Sequence, residues 1–413
     1  MYSIKRVFSI SLLIMFFLGS CSNQAPIAKS NIKVKSEQKE PLKTGAAVFF
    51  EKMKTNKGSD FREMRFATVV NQTSRVGDKH LIDSLLAIDL DIQLIFAPEH
   101  GFRGIADAGE KITNGKDVKT GLPIISLYGK NKKPTAEMLK GIDAVIFDIQ
   151  DVGARFYTYI STMFYVMQAC AENDVLFLIL DRPNPNGHYV DGPVLESGFE
   201  SFVGVHKIPV VHGMTIGEYA QMINGEGWLS PQPPVEMKVF SCENYDHKTS
   251  YELPIKPSPN LPNAASIQYY PSLCFFEGTV VSVGRGTDLP FQIYGHPKLN
   301  SDEFHFKPEP KSGAKYPKLQ GEECRGYDLK KSLSKWPTNQ LNLQPLISAY
   351  RELKDLETPF FNKNLFFDKL AGTDKLRKQI IGGLSEEQIR KTWSEDLEAF
   401  KKTRSKYLLY EDF

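Results

Sequence analysis

The chain has 413 residues, 41% hydrophobic and 24% charged. That supports a sizeable buried core and excludes wholesale disorder, and the length points to two domains or one large domain with additions. The net charge of +2 comes without a basic cluster, which excludes the electrostatic footprint of a nucleic-acid binder.

The chain opens with Lys5 and Arg6, an almost wholly apolar run over 7–17, and Leu18-Gly19-Ser20-Cys21. The run is too short for a comfortable membrane span and reads as a secretory signal over 1–21. Its end resembles a bacterial lipobox, which implies lipidation at Cys21 and cleavage before it. The expectation is an exported protein, lipid-anchored to a bacterial membrane and facing the periplasm. Residues 22–45 are polar and aperiodic, as a flexible tether would be.

From 46 to 228 strands and helices alternate. Residues 65–70 form a β-rich run ending at Asn71. Leu81, Leu85 and Ile88 lie at helical spacing over 80–90. Leu94-Ile95-Phe96 marks a strand over 91–97, Thr135 can cap a helix through Leu139, and 144–147 is a second apolar run. A helical pattern over 161–172 leads into a wholly apolar run at 175–180. Strands that are apolar throughout are buried on both faces, and helices between them mean a parallel sheet. The fold class is therefore α/β, a Rossmann-like doubly wound parallel sheet. From 229 to 413 the texture is richer in Pro, Gly and aromatics, with a strand-like run at 279–283. Helices follow over 343–356, 375–381 and 385–400. This half reads as a smaller mixed α+β domain forming one wall of a cleft.

Three polar motifs each follow an apolar strand: Pro98-Glu99-His100-Gly101, Asp148-Ile149-Gln150-Asp151 and Asp181-Arg182-Pro183-Asn184. Carboxyl ends of parallel strands share one edge, where ligands bind, so the three are expected around one cleft. A carboxyl group placed like Glu99 has the chemistry of a general acid, and equally that of a structural group bonding loop amides. His100 can position Glu99 or substrate, or simply be a bonded loop histidine. Asp148 and Asp151 can hold sugar hydroxyls or metal, or cap a helix entry. Glu218 has a sufficient bland explanation, since Thr215 to Glu218 has capping-box spacing, though first-turn groups can also face a cleft. Asn260, in Pro257-Ser258-Pro259-Asn260-Leu261-Pro262, can mark only a turn. Glu277-Gly278-Thr279 and Gly284-Arg285-Gly286-Thr287 let backbone approach a ligand, and Arg285 can pair with a substrate carboxylate.

No G-x-S-x-G elbow, dinucleotide fingerprint after the first strand or P-loop is present, so a serine α/β-hydrolase and nucleotide use are unsupported. Cys170, Cys242, Cys274 and Cys324 lack zinc-site spacing. They read as buried thiols, with a disulfide as the alternative.

Taken together, the motifs resemble an exo-acting β-N-acetylmuramidase family, NamZ-like glycoside hydrolases formerly grouped as an uncharacterised conserved domain. The resemblance rests on Phe96-Ala97-Pro98-Glu99-His100-Gly101-Phe102-Arg103-Gly104, on the block from Asp148 to Tyr159, and on Asp181-Arg182-Pro183-Asn184-Pro185-Asn186-Gly187. It continues through His212-Gly213-Met214-Thr215, Pro257 to Asn260, Phe276 to Thr279 and Gly284 to Thr287, ending in Phe367-Asp368-Lys369-Leu370-Ala371-Gly372-Thr373. It covers roughly 61–410, with Ala97 and Ala154 as small departures that remove no chemical group.

The resemblance implies hydrolysis of terminal β-linked N-acetylmuramic acid (MurNAc) from the non-reducing ends of peptidoglycan-derived glycans. It implies no cofactor and no metal, and a cleft between two domains. Glu99 is the first candidate for the catalytic acid. Glu277, Asp148, Asp151 and Glu218 are candidates for a second carboxylate, with assistance by the 2-acetamido group as a further option. Arg285, Arg155 and Arg103 are candidates for the lactyl carboxylate. Tyr157, Asp181, Arg182, Asn184, His212 and Asn260 complete the expected binding set. Two alternatives stand beside this reading: a metal-dependent esterase or amidase using Asp148, Asp151, His100 and His212, and a non-catalytic glycan-binding lipoprotein.

Overall fold

The computed structural model describes residues 40–55, 58–102, 114–129, 131–331 and 336–413. The signal segment with Cys21, most of the tether and Arg103 lie outside the described residues. The fold below is that of the unit Pro41–Phe413.

The apolar runs become strands whose alternate residues feed two separate cores. In β1 (Arg65–Val70) Ala67 and Val69 face one core, and Phe66 and Val70 the other. Two short strands follow, β2 (Arg75–Val76) and β3 (Lys79–His80), and then β4 (Asp91–Ala97), β5 (Gly115–Lys116) and β6 (Pro123–Ser126). In β7 (Ala144–Asp148) the split is Val145 and Phe147 against Ala144 and Ile146. In β8 (Leu176–Leu180) it is Phe177 and Ile179 against Leu178 and Leu180. Burial on both faces is why the hydrophobic pattern is continuous rather than alternating.

With β9 (Met237–Phe240) the main sheet has order β5-β6-β4-β1-β7-β8-β9, parallel except at the β5–β6 edge. Numbered among themselves, the six parallel strands run 3-2-1-4-5-6, the Rossmann order. The last of them lies beyond the 228/229 boundary expected from sequence.

Helices α1 (Gly45–Met53), α2 (Ser59–Arg62) and α3 (Leu81–Leu86) cover one face. Helices α4 (Ala136–Leu139), α5 (Tyr159–Glu172) and α6 (Ile216–Gly225) cover the other. Local sequence sets several ends. Thr135 caps α4, the His80 ring accepts from the Ile82 amide at the start of α3, and Thr215 with Glu218 forms a reciprocal capping box on α6.

The second lobe begins with α7 (Ala264–Leu273), which runs into a 3-10 turn, Cys274–Gly278. Three antiparallel strands, β10 (Ile293–His296), β11 (Phe304–Phe306) and β12 (Cys324–Asp328), form a small sheet with β12 central. The chain ends in α8 (Gln344–Leu353), α9 (Phe366–Ala371), α10 (Lys375–Ile381), α11 (Glu386–Lys391) and α12 (Ser394–Arg404). Its apolar side chains, Phe275, Phe276, Phe367 and Leu370 among them, join the same core as Val69 and Phe147 of the main sheet.

Two expectations are corrected here. The single helix over 385–400 is two, because Trp393 leaves helical geometry to bury its ring and Thr392 bonds back to the Ile389 carbonyl. The run 279–283 forms no strand and makes only isolated bridges, Thr279 to Phe361 and Ser282 to Gly295. Cys170, Cys242, Cys274 and Cys324 are buried free thiols.

Candidate active site

A cavity of about 620 Å³ opens where the loops after β4, β6 and β7 meet the second lobe. Glu99 enters it from the end of β4. Its turn is closed by the Gly101 amide on the Pro98 carbonyl at 2.9 Å, with His100 held at φ 67°. A non-glycine residue with positive φ is uncommon, and surrounding contacts must hold it there. His100 is buried with Nε2 3.3 Å from the Ser258 hydroxyl, which ties the turn to the second half of the chain.

Glu99 is half-buried and accepts a hydrogen bond from the Thr158 hydroxyl at 2.6 Å. Thr158 immediately precedes α5, so the carboxyl group sits at the start of a fourteen-residue helix.

The second lobe brings Glu277 and Arg285 to the same cavity. Glu277 lies in the 3-10 turn and takes a bond from Arg285 Nη1 at 3.0 Å. Gly278 beside it cannot be replaced without movement, since a Cβ there would lie 2.5 Å from the Phe367 backbone in α9. Arg285 also reaches the Gly313 carbonyl at 3.4 Å. Asn260 lines the cavity, its side-chain amide on the same carbonyl at 2.8 Å.

Aromatic rings supply most of the remaining lining: Phe156, Tyr157, Tyr159, Tyr270 and Phe291, packed edge to face. Flat apolar faces of this kind stack on sugar rings. Burial pushes the Tyr270 hydroxyl well above its ordinary value, and nearby Cys274, Glu277 and Glu99 add to it. One phenol thus lies within electrostatic reach of both cavity carboxyl groups. Of these rings only Tyr157 is among the binding residues expected from sequence, and Thr158, Ser258, Lys132 and Phe202 are not among them. No pattern distinguishes those four from ordinary loop residues.

The structure brings the first strand-end motif to the cavity and sends the other two elsewhere. Asp148 is fully buried and held by Arg182 through Nε at 2.5 Å and Nη2 at 2.9 Å. Burial pushes its carboxyl upward and the guanidinium pulls it back. Asp181 is also fully buried. It accepts from the Arg182 and Gly217 amides and from the hydroxyls of Thr215 and Tyr410, and burial pushes it up to about 6. Asn184 braces the neighbouring loops through the Met214 carbonyl and the Asn186 amide. Its side chain occupies the space that a Cβ at Gly153 would need.

Glu218 completes its capping box and accepts from His247 at 3.0 Å and the Leu409 amide at 2.9 Å. Arg155 is fully buried and donates to the carbonyls of Pro193, Ile208 and Leu370, so it holds backbone where substrate recognition was expected. Asp151 and His212 lie 4.0 Å apart outside the cavity lining. Burial pushes Asp151 up to about 7 and His212 down to about 3. Among the described residues, no three His, Cys, Asp or Glu side chains converge as metal ligands.

The crevice where strand order reverses, between β1 and β7, is filled by the protein itself. Thr73 bonds Asn71 and the Gln150 amide, and Ser74 bonds the Asp148 carbonyl. The working cavity is displaced from that point toward β4 and the second lobe.

One carboxyl group at a helix start, a second paired with arginine, and aromatic faces between them define a Rossmann-like enzyme of the glycan-hydrolysing class. The chain belongs to the exo-β-N-acetylmuramidase NamZ family: it matches that family's N-terminal part over residues 66–265 and its C-terminal part over 268–410. The peptidoglycan beta-N-acetylmuramidase NamZ of Bacillus subtilis (strain 168) is 40% identical over 343 residues, 78% of this chain and 80% of that one. Two crystal structures of DUF1343 family proteins from Bacteroides fragilis NCTC 9343 are similar throughout. One has TM-score 0.80 at 46% identity, covering 91% of this chain and 100% of its own. The other has TM-score 0.75 at 30% identity, covering 90% and 99%.

Proposed function

We infer that this protein is an exo-acting glycoside hydrolase that releases terminal β-linked MurNAc from the non-reducing ends of peptidoglycan fragments, in cell-wall turnover and recycling. The observation that carries the reading is the convergence of Glu99 and Glu277, from opposite halves of the chain, on one aromatic-lined cavity. The identity to the Bacillus enzyme supports it.

In this mechanism Glu99, in its protonated form, gives its hydrogen to the glycosidic oxygen as the bond to the anomeric carbon breaks. Thr158 fixes the direction of that carboxyl group. Positive charge develops on the sugar ring, and Glu277, held by Arg285, lies where it stabilises that charge or orients the 2-acetamido oxygen that closes on the anomeric carbon. Water then adds and returns its proton to Glu99. Arg285 is the described cavity arginine suited to the lactyl carboxylate, the group that distinguishes MurNAc from N-acetylglucosamine.

The metal-hydrolase alternative loses support because Asp148 is committed to Arg182 while His100 lies against Ser258.

The test is direct. A soluble form starting after Cys21 is incubated with MurNAc-GlcNAc beside its Glu99→Gln variant, and free MurNAc is read by mass spectrometry. Release by the wild type alone supports the activity and the acid. No release from the disaccharide or from longer wall fragments overturns the reading.

The same reading places the enzyme outside the cytoplasm, anchored by lipid on Cys21 and facing the periplasm. Support comes from Lys5-Arg6, the apolar run after them and Leu18-Gly19-Ser20-Cys21. Cys21→Ser is expected to abolish lipidation and release the protein from membranes. A membrane-bound, unmodified wild type would overturn the anchor.

A further inference from the structure

We propose that Lys318, which lines no part of the cavity, is a positioning residue that sets the Glu277 carboxyl group for catalysis. The inference rests on the reading of Glu277 given above.

Lys318 lies between β11 and β12 and turns its ammonium group inward. It donates to three backbone carbonyls: that of Thr279, that of Phe276 at 2.7 Å and that of Val281 at 3.1 Å. An ammonium has three hydrogens, so its donor capacity is filled. Those carbonyls bracket Glu277 on both sides in the chain. The two between them are held as well: Asn362 donates its side-chain amide to the Glu277 carbonyl at 3.2 Å and its backbone amide to Gly278 at 2.9 Å.

The four carbonyls from Phe276 to Thr279 therefore have partners, two of them on one cation. A cation at the end of a helical turn also complements the partial negative charge there. Burial pushes the Lys318 amine down to about 8, with Glu277 pulling it back up. The Lys318 side chain is half-buried, and its ammonium group faces these carbonyls beside the Glu277–Arg285 pair. Rigid backbone beneath a reacting group raises the rate more than it tightens ground-state binding.

The experiment is a double-mutant cycle with MurNAc-GlcNAc as substrate. Lys318→Met is expected to lower kcat by about tenfold or more with KM changed less than about threefold. The same change in a Glu277→Gln background is expected to cost less than about threefold, because its target is gone. Lys318→Arg, which keeps charge and donors, is expected to recover part of the loss. Equal losses in both backgrounds, or an unchanged kcat in folded Lys318→Met, would overturn the proposal.

If Lys318→Met does not fold, the wild-type crystal structure with bound MurNAc decides. Glu277 within hydrogen-bond distance of the sugar, with Lys318 still on its three carbonyls, is expected. Glu277 turned away from the sugar, or Lys318 released, overturns it. A wild type inert on every wall fragment fails at the earlier step, the functional reading itself, and this inference falls with it.

Discussion

Thr158 gives its hydroxyl hydrogen to Glu99 at 2.6 Å, and the same residue begins the helix Tyr159–Glu172. The acid's orientation is thus bound to the rigid element that also supplies Tyr159 to the cavity. A hydrogen bond between uncharged groups contributes about 0.5–1.5 kcal/mol, and misplacing the acid adds to the loss. Thr158→Val is therefore expected to lower kcat about tenfold or more, with KM near the wild-type value, in steady-state assays. A variant within twofold of wild type would remove Thr158 from the mechanism.

Arg285→Gln is expected to narrow the preference for MurNAc over an N-acetylglucosamine analogue. A site built around a substrate carboxylate loses more with the substrate that has one. The comparison is kcat/KM for paired chromogenic glycosides. An equal loss on both would show that Arg285 serves Glu277 alone, through their 3.0 Å contact.

Asp148 and Arg182 should behave as fold, not chemistry. Their side chains are 0% and 5% exposed, and removing one partner of such a pair leaves a buried charge alone. Asp148→Asn is expected to cost about 3–5 kcal/mol, read by denaturant unfolding. A variant as stable as wild type but inactive would return Asp148 to the list of catalytic groups.

Asp151 gives a pH signature. Its folded value of about 7 lies above the ordinary one near 4, so between those limits the folded state keeps a proton that the unfolded state has released. Stability from this group is fully present at low pH and is lost as pH rises toward and through 7. Asp151→Asn is expected to flatten the fall in unfolding free energy between pH 4 and 7.5 by roughly 1–3 kcal/mol. Parallel curves for the two proteins would contradict the assignment.

The main sheet was legible because its central strands are buried on both faces, which writes itself as apolar runs at β7 and β8 and, with Thr68 inside it, at β1. The edge strand β5 and the late strand β9 left weaker marks, with exposed or half-exposed residues in short stretches. Strand ends predicted where polar motifs would fall, but not where their side chains would turn. Asp148, Asp181 and Glu99 look alike in sequence, and only their neighbours separate them. Arg182 and Tyr410 take up the first two, while Thr158 leaves Glu99 facing the cavity. Glu277 was visible only as a carboxylate beside a glycine. The close approach of α9 that demands Gly278 comes from chain about ninety residues further on, and no local pattern records it.

Tyr410 reaches back 229 residues to place its hydroxyl on Asp181, and Leu409 gives its amide to Glu218. A ribosome delivers those partners long after it has delivered the strands they complete. During synthesis Asp181 and Glu218 therefore each wait for one donor until the tail arrives, which couples the tail to the Rossmann-like lobe. Truncation just before Leu409 would take a donor from each of two buried acids near the middle of the sequence, so damage to the tail would be felt at the centre of the molecule.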